Sequence, residues 1–97
     1  MIRKFGTAGT EDVFNGKNSK SARKACPRDL WAVATRKLDQ LDSAECLEDL
    51  KIPPGNRLEA LSGNREGQHS IRINSQYRIC FQWTDSGPDS VEIVDYH

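Results

Sequence analysis

Leu30, Ala34, Leu38 and Leu41 recur at spacings of four and three residues, and Trp31 and Val33 widen that stripe. The pattern predicts one main helix, with Pro27 in its first turn, where a missing N–H is tolerated, and an end near Leu41. Arg36, Lys37 and Asp39 fall off the stripe and are expected to face water. Beside a sheet, an apolar stripe of this width is read as core rather than as a partner-binding face. Ahead of the helix, residues 2–5 read as a short strand, and Thr10 followed by Glu11 and Asp12 reads as the cap and first turn of a short helix. Residues 15–25 are polar and basic with almost nothing to bury, which predicts a loop. Beyond the main helix, Asp42 and Glu45 offer a capping box for a short helical turn through Leu50, stopped by Pro53, Pro54 and Gly55.

From Arg57 the period changes to two. Residues 57–61 alternate weakly as a strand, and residues 62–67 are turn-rich. His69, Ile71 and Ile73 alternate with Ser70 and Arg72, and Tyr77, Ile79, Phe81 and Trp83 alternate with Arg78, Cys80 and Gln82. Val91 and Ile93 alternate with Glu92 and Val94. Antiparallel strands with one apolar face on the long helix, turning at residues 74–76 and 84–89, satisfy this pattern. The 97-residue length fits one α+β domain, residues 1–97, with an antiparallel sheet packed against N-terminal helices.

The first hairpin fixes a register. A two-residue turn at Asn74 and Ser75 sets Ile71 opposite Arg78 and mixes apolar with polar side chains on one face. A three-residue turn pairs Ile73 with Tyr77 and Ile71 with Ile79, keeping the buried face uniform. That choice stands Arg72 opposite Arg78 on the outer face of the sheet. Like charges across a strand pair cost a few tenths to about 1 kcal/mol, so something has to offset the repulsion. Two readings are open: an anion between the guanidinium groups, for which a phosphodiester suits the forked donors, or separate pairing of each arginine with a carboxylate such as Glu92 or with water.

Charge sharpens this picture. The formal net charge is zero, which taken alone argues against a nucleic-acid binder. It is unevenly spread: residues 1–28 hold seven basic residues against two acids, residues 29–58 four against six, and residues 59–97 three against six. Lys17, Lys20, Arg23 and Lys24 fall in the basic third, either as a solvated surface or as contacts to RNA phosphates. The three cysteines, Cys26, Cys46 and Cys80, lack CxxC spacing and read as reduced thiols rather than as a disulfide framework or a zinc site. No apolar stretch near the N-terminus has signal-peptide or membrane-span character, so a cytoplasmic protein without membrane contact is expected.

Motifs for metalloproteases, P-loop nucleotide binding, α/β-hydrolases and EF-hands are absent from the sequence, so no metal or cofactor is expected. His69 alternates with the apolar set and reads as a packed structural residue. Asp95, Tyr96 and His97 place a carboxylate, a phenol and an imidazole within three residues, and an imidazole exchanges protons near neutral pH. Alternation puts Tyr96 on the arginine side of the last strand and Asp95 and His97 on the other side.

Three segments carry a family pattern: Pro-Pro-Gly-Asn-Arg-Leu-Glu-Ala-Leu-Ser-Gly-Asn-Arg-Glu-Gly at 53–67, Ser-Ile-Arg-Ile-Asn-Ser-Gln-Tyr-Arg-Ile-Cys-Phe at 70–81, and Val-Glu-Ile-Val-Asp-Tyr-His at 91–97. Together they resemble the HigB-type toxins of the RelE/ParE superfamily, including the GraT branch, and the closing Asp-Tyr-His is the most specific element. The resemblance implies a RelE-like fold that enters the ribosomal A site and cuts mRNA there, inhibiting translation. It implies a HigA-like helix-turn-helix antitoxin as partner, with operator DNA reached only through that antitoxin. Family functional residues map onto Asp95, Tyr96, His97 and Arg78, and more loosely onto Arg65. Some HigB proteins carry a histidine and a lysine in the stretch where this chain has Glu59 and Ser62.

In that mechanism Arg78 and Arg72 hold the phosphate and His97 moves protons. Asp95 orients the imidazole, Tyr96 stacks on a base or donates a proton, and Glu59 is a candidate base. Two other classes of action remain: a ParE-like toxin that binds gyrase, and a non-catalytic module whose arginine face docks an acidic segment.

Overall fold

The computed structural model describes residues 1–96, so the expectation for His97 lies outside the described residues. Three α-helices, α1 (Ala8–Phe14), α2 (Lys20–Ala25) and α3 (Trp31–Ser43), precede four strands, β1 (Glu59–Ala60), β2 (His69–Arg72), β3 (Tyr77–Thr84) and β4 (Gly87–Asp95). The strands form one antiparallel sheet in the order β1-β2-β3-β4, giving an α+β fold.

The helix stripe does what its period requires. Ala34, Leu38 and Leu41 are fully buried, and they pack with Leu50, Ile71, Ile79, Phe81 and Val91 in one core. Burying a side chain of this size contributes about 1.5–3 kcal/mol, so this layer is the main support of the sheet. The hairpin register is the three-residue one: Ile71 pairs with Ile79 and Arg72 with Arg78.

Several elements differ from the sequence expectation. Residues 15–25 are not simply a loop, because Ser19 accepts the Ala22 N–H at 3.0 Å and caps α2. The buried face of α2 is Ala22, and α1 lies so close that a methyl group at Gly9 would collide with the Ser21 carbonyl. Small residues bring these two helices together, and small residues leave almost no hydrophobic period to read. The α1 cap is Thr7 rather than Thr10, accepting the Thr10 N–H at 3.2 Å. Residues 2–5 form no strand; Phe5 bridges Val91 in parallel, beside an Arg3 N–H donated to the Pro88 carbonyl. Asp42 lies inside α3 and accepts the Ile2 N–H at 2.7 Å, so the following 3-10 turn, Leu47–Lys51, is held instead by Asp49, which accepts the Glu45 and Cys46 N–H groups. The strand expected over residues 57–61 shortens to β1, and β4 begins at Gly87, leaving a tight turn after Thr84.

Thr10 has become a structural tie between α1 and the sheet. Its buried hydroxyl accepts the Ile93 N–H at 3.0 Å, on the edge of β4 away from β3, and pairs with the Thr7 hydroxyl at 2.7 Å. Thr10→Val keeps the shape but orphans a buried N–H, and the expected cost is about 1–3 kcal/mol. A lower urea midpoint at unchanged slope is the outcome to look for; an unchanged midpoint would mean that water replaces the hydroxyl.

Candidate functional site

The outer face of the sheet is not an open solvated surface. Ser70 and Cys80 are fully buried there, and Arg78 is only 9% exposed. Of the readings left open for Arg78, a simply solvated side chain does not hold, and its donors show why the burial is tolerated. Nε donates to Ser70 Oγ at 2.7 Å, Nη2 donates to the Arg57 carbonyl at 2.6 Å, and Glu59 Oε1 stands 3.6 Å from Nη2. A buried guanidinium needs this kind of pairing, and the arrangement fixes the plane of the fork.

Register brings the rest. Glu59 pairs with Ser70, Ser70 with Cys80, and Cys80 with Glu92, so one row of side chains crosses the outer face. Arg72 stands across from Arg78 and, among the described residues, its side chain makes no hydrogen bond or ion pair. Of the two readings of the arginine pair, separate carboxylate partners hold only in part: Glu59 faces Arg78, whereas Glu92 pairs with Arg65 at 2.7 Å. Arg65, which also donates to Gln68 Oε1 at 3.0 Å, is thus engaged with a carboxylate and does not line the arginine cleft. Burial pushes the Cys80 thiol up, which fits a packing residue beneath this surface rather than a nucleophile.

A cleft of about 330 Å³ opens beside this row, lined by Arg57, Arg72, Asn74, Ser75, Arg78 and Tyr96. Tyr96 is 41% exposed, and its ring centroid lies 5.8 Å from the Arg78 guanidinium carbon, within the range of a cation–π contact. The Tyr96 N–H donates to the Gln76 carbonyl at 2.6 Å, extending the β3–β4 pairing past the end of β4. Asp95 is carried to the helix side, as the alternation requires. Its carboxylate accepts from Gln76 Nε2 at 3.2 Å, and it lines a different concavity with Lys24 and Tyr77. The structure therefore brings together Arg72, Arg78, Glu59 and Tyr96, and places Asp95 on the opposite face.

The basic residues of the first third lie elsewhere. Lys17, Lys20, Arg23 and Lys24 are exposed on or beside α2, and none lines the arginine cleft. Two larger concavities, about 430 and 490 Å³, adjoin α1–α2 and the β3–β4 turn, and neither gathers arginines. Among the described residues no group of three or more His, Cys, Asp or Glu side chains is placed to hold a metal ion. No helix among them is long and apolar enough to cross a membrane.

Arg57 is the site residue that sequence reading missed. It lies outside β1, at the end of the Pro54–Asn56 turn, so the alternation of the strand does not reach it. Arg57 has φ 46° and ψ 54°, a left-handed conformation uncommon for a side chain larger than glycine or asparagine. Asn56, fully buried, holds it there. Lys37 Nζ donates to Asn56 Oδ1, and Asn56 Nδ2 donates to Gln40 Oε1 at 3.0 Å and to the Leu50 carbonyl at 3.1 Å. Lys37 thereby leaves the solvent-facing position expected for it and is 9% exposed, and desolvation together with neighbouring Arg36 holds its amine below the ordinary lysine value.

Comparison with known proteins places the chain in a family. A model described as the RelE-like toxin of type II toxin-antitoxin system HigB matches residues 8–97. Toxin HigB-1 of Vibrio cholerae is 60% identical over 50 residues, which is 52% of this chain and 53% of that protein. An uncharacterized protein of Haemophilus influenzae is 38% identical over 60 residues, 62% of this chain and 59% of that one. The alignments thus span between half and three-fifths of the length of these relatives. The YoeB-YefM complex from Staphylococcus aureus superposes with a TM-score of 0.61 over 100% of this chain and 98% of that chain at 14% identity, a likeness of fold alone. Matched by that family model over nearly its whole length and folded as an α+β sheet domain, the chain belongs to the HigB-like family of RelE-like toxins of type II toxin-antitoxin systems.

Proposed function

We propose that this toxin is a ribosome-dependent mRNA endoribonuclease of the cytoplasm, which inhibits translation and growth and is neutralised by a HigA-like helix-turn-helix antitoxin. The observation that supports it is the cleft in which Arg72, without a hydrogen bond or ion pair among the described residues, stands beside a buried, rigidly held Arg78 under the Tyr96 ring. Like charges set opposite one another are destabilising until an anion lies between them, and a phosphodiester has the charge and the oxygen geometry to do so. Solved as a complex with YefM, the YoeB neighbour is in keeping with a protein partner. In this reading operator DNA is reached only through the antitoxin.

Cleavage forms a bond from the ribose 2′-oxygen to phosphorus and breaks the bond from phosphorus to the 5′-oxygen. Glu59, exposed on its outer side and adjacent to Arg78, takes the 2′-hydroxyl proton. Arg78 and Arg72 hold the non-bridging oxygens as negative charge builds on the phosphorane. Tyr96 stacks on a base or, with His97, returns a proton to the leaving 5′-oxygen, and Asp95 anchors the terminal segment through Gln76. The products are a 2′,3′-cyclic phosphate and a 5′-hydroxyl. Lys17, Lys20, Arg23 and Lys24 meet RNA phosphates at a distance from the cleft.

Purified protein incubated with programmed ribosomes should cut mRNA within the A-site codon, seen by primer extension, and spare the same mRNA without ribosomes. Intact mRNA together with gyrase-dependent DNA breaks would replace this reading with a ParE-like one. Arg72→Ala should lower kcat/KM about tenfold or more by loss of a charge-assisted contact. Its stability should stay level or rise by a few tenths of a kcal/mol, because it removes a like-charge pair and no hydrogen bond or ion pair among the described residues. A destabilised Arg72→Ala protein with full activity would contradict both halves of this prediction.

A further inference from the structure

Two residues of the cleft, Arg78 and Arg72, suffice to bracket one phosphate, yet a third guanidinium lines the same space. Arg57 is exposed, and among the described residues its side chain makes no hydrogen bond or ion pair. Its backbone is the unusual part. Arg57 adopts φ 46°, where glycine would serve without strain, and strain of this kind gathers at sites where a side chain is needed. The conformation is fixed from both sides: the buried Asn56 anchors the preceding residue on α3, and the Arg57 carbonyl receives Arg78 Nη2 at 2.6 Å. The same backbone turn therefore orients Arg78 and directs the Arg57 side chain to the mouth of the cleft.

We propose that Arg57 is a substrate-contacting residue, an additional ligand for the RNA phosphate backbone in the Arg72–Arg78 cleft. This inference rests on the nuclease reading of that cleft. The Arg57 head, free of partners among the described residues, presents donors that Arg78 has already committed to Ser70 and to the Arg57 carbonyl. A binding role follows rather than that of a general base, because a guanidinium offers hydrogen-bond donors and no acceptor. Glu59 is directed to Arg78 and Glu92 to Arg65, so neither of these carboxylates is paired with Arg57.

The test compares the full-length chain with Arg57→Gln, Arg57→Lys and Arg57→Gly on programmed ribosomes, following kcat/KM against salt concentration and measuring the melting temperature of each. Arg3→Gln, a charge removed from the segment beside the start of β4, is the control expected to cut like the parent. Arg57→Gln should lose about tenfold or more in kcat/KM and show a salt slope smaller by nearly one. Arg57→Lys should recover much of that loss. Arg57→Gly should lose activity as Arg57→Gln does while melting at the same or a higher temperature, a split that a purely structural role cannot give. Parent-like cleavage and salt slope in Arg57→Gln would overturn the proposal and leave the nuclease reading standing. Equal losses in the Gln and Lys variants, with lowered melting temperatures in all three, would also overturn it, since the residue would then serve only the turn. A parent protein that cuts no mRNA removes the nuclease reading first, and this inference with it.

Discussion

An Arg78→Lys protein should remain folded and cut ribosome-bound mRNA about a hundredfold more slowly than the parent. Arg78 is bound through Nε to Ser70 Oγ and through Nη2 to the Arg57 carbonyl, with Glu59 at 3.6 Å, and this leaves the guanidinium plane fixed before any substrate arrives. Lysine keeps the charge but has a single compact head on a flexible stem, so it cannot satisfy two internal acceptors and still meet a phosphate. Losing one or two charge-assisted hydrogen bonds at about 1.5–3 kcal/mol each accounts for a hundredfold change, at about 1.4 kcal/mol per factor of ten. The orphaned Ser70 and Arg57 acceptors should also cost about 1–3 kcal/mol of stability, which a domain of about 5–15 kcal/mol survives. Full activity in this variant, with a lowered melting point, would make Arg78 a structural residue only.

The largest effect on stability is expected at Asn56. Asn56→Leu is close in size, but it removes the acceptor of Lys37 Nζ and the donor to Gln40 and the Leu50 carbonyl, all in a buried setting. Breaking a buried polar network from one side while leaving an amine in place costs about 3–5 kcal/mol. Such a loss lowers the melting temperature of a domain this size by roughly 4–8 °C per kcal/mol. Adding Lys37→Met should recover part of the loss, because an apolar pair then replaces an amine without an acceptor. A single variant within about 0.5 kcal/mol of the parent would show that water takes over the network. Since this knot holds the left-handed Arg57, Asn56→Leu protein that remains folded should also lose cleavage activity.

What was legible in the sequence was what a period can encode. The stripe of Leu30, Ala34, Leu38 and Leu41 places α3, and the uniform apolar face of the hairpin selects the register that sets Arg72 against Arg78. Alternation also divides Tyr96 from Asp95 across the last strand, which the structure bears out by putting Tyr96 in the cleft and Asp95 with Lys24 on the helix side. What was not legible depends on partners distant in the chain. Lys37 lies on the polar side of its helix by spacing, and only the later arrival of Asn56 turns that side inward. The helix α2 packs through Ala22 and the close approach at Gly9, where the packing surface is nearly bare of hydrophobic signal. Arg57 escapes because a left-handed arginine follows no propensity, and its conformation is imposed by the buried side chain before it.

The central proposal is that the arginine cleft holds the RNA. A structure of the chain on a ribosome carrying A-site mRNA, 2′-O-methylated to block cleavage, resolves the matter. A phosphate within about 3 Å of the Arg72 and Arg78 guanidinium groups, with Tyr96 against a neighbouring base, is the expected arrangement. RNA bound instead along the basic surface of α2, with the cleft of Arg57, Arg72 and Arg78 turned away from it, would contradict the assignment.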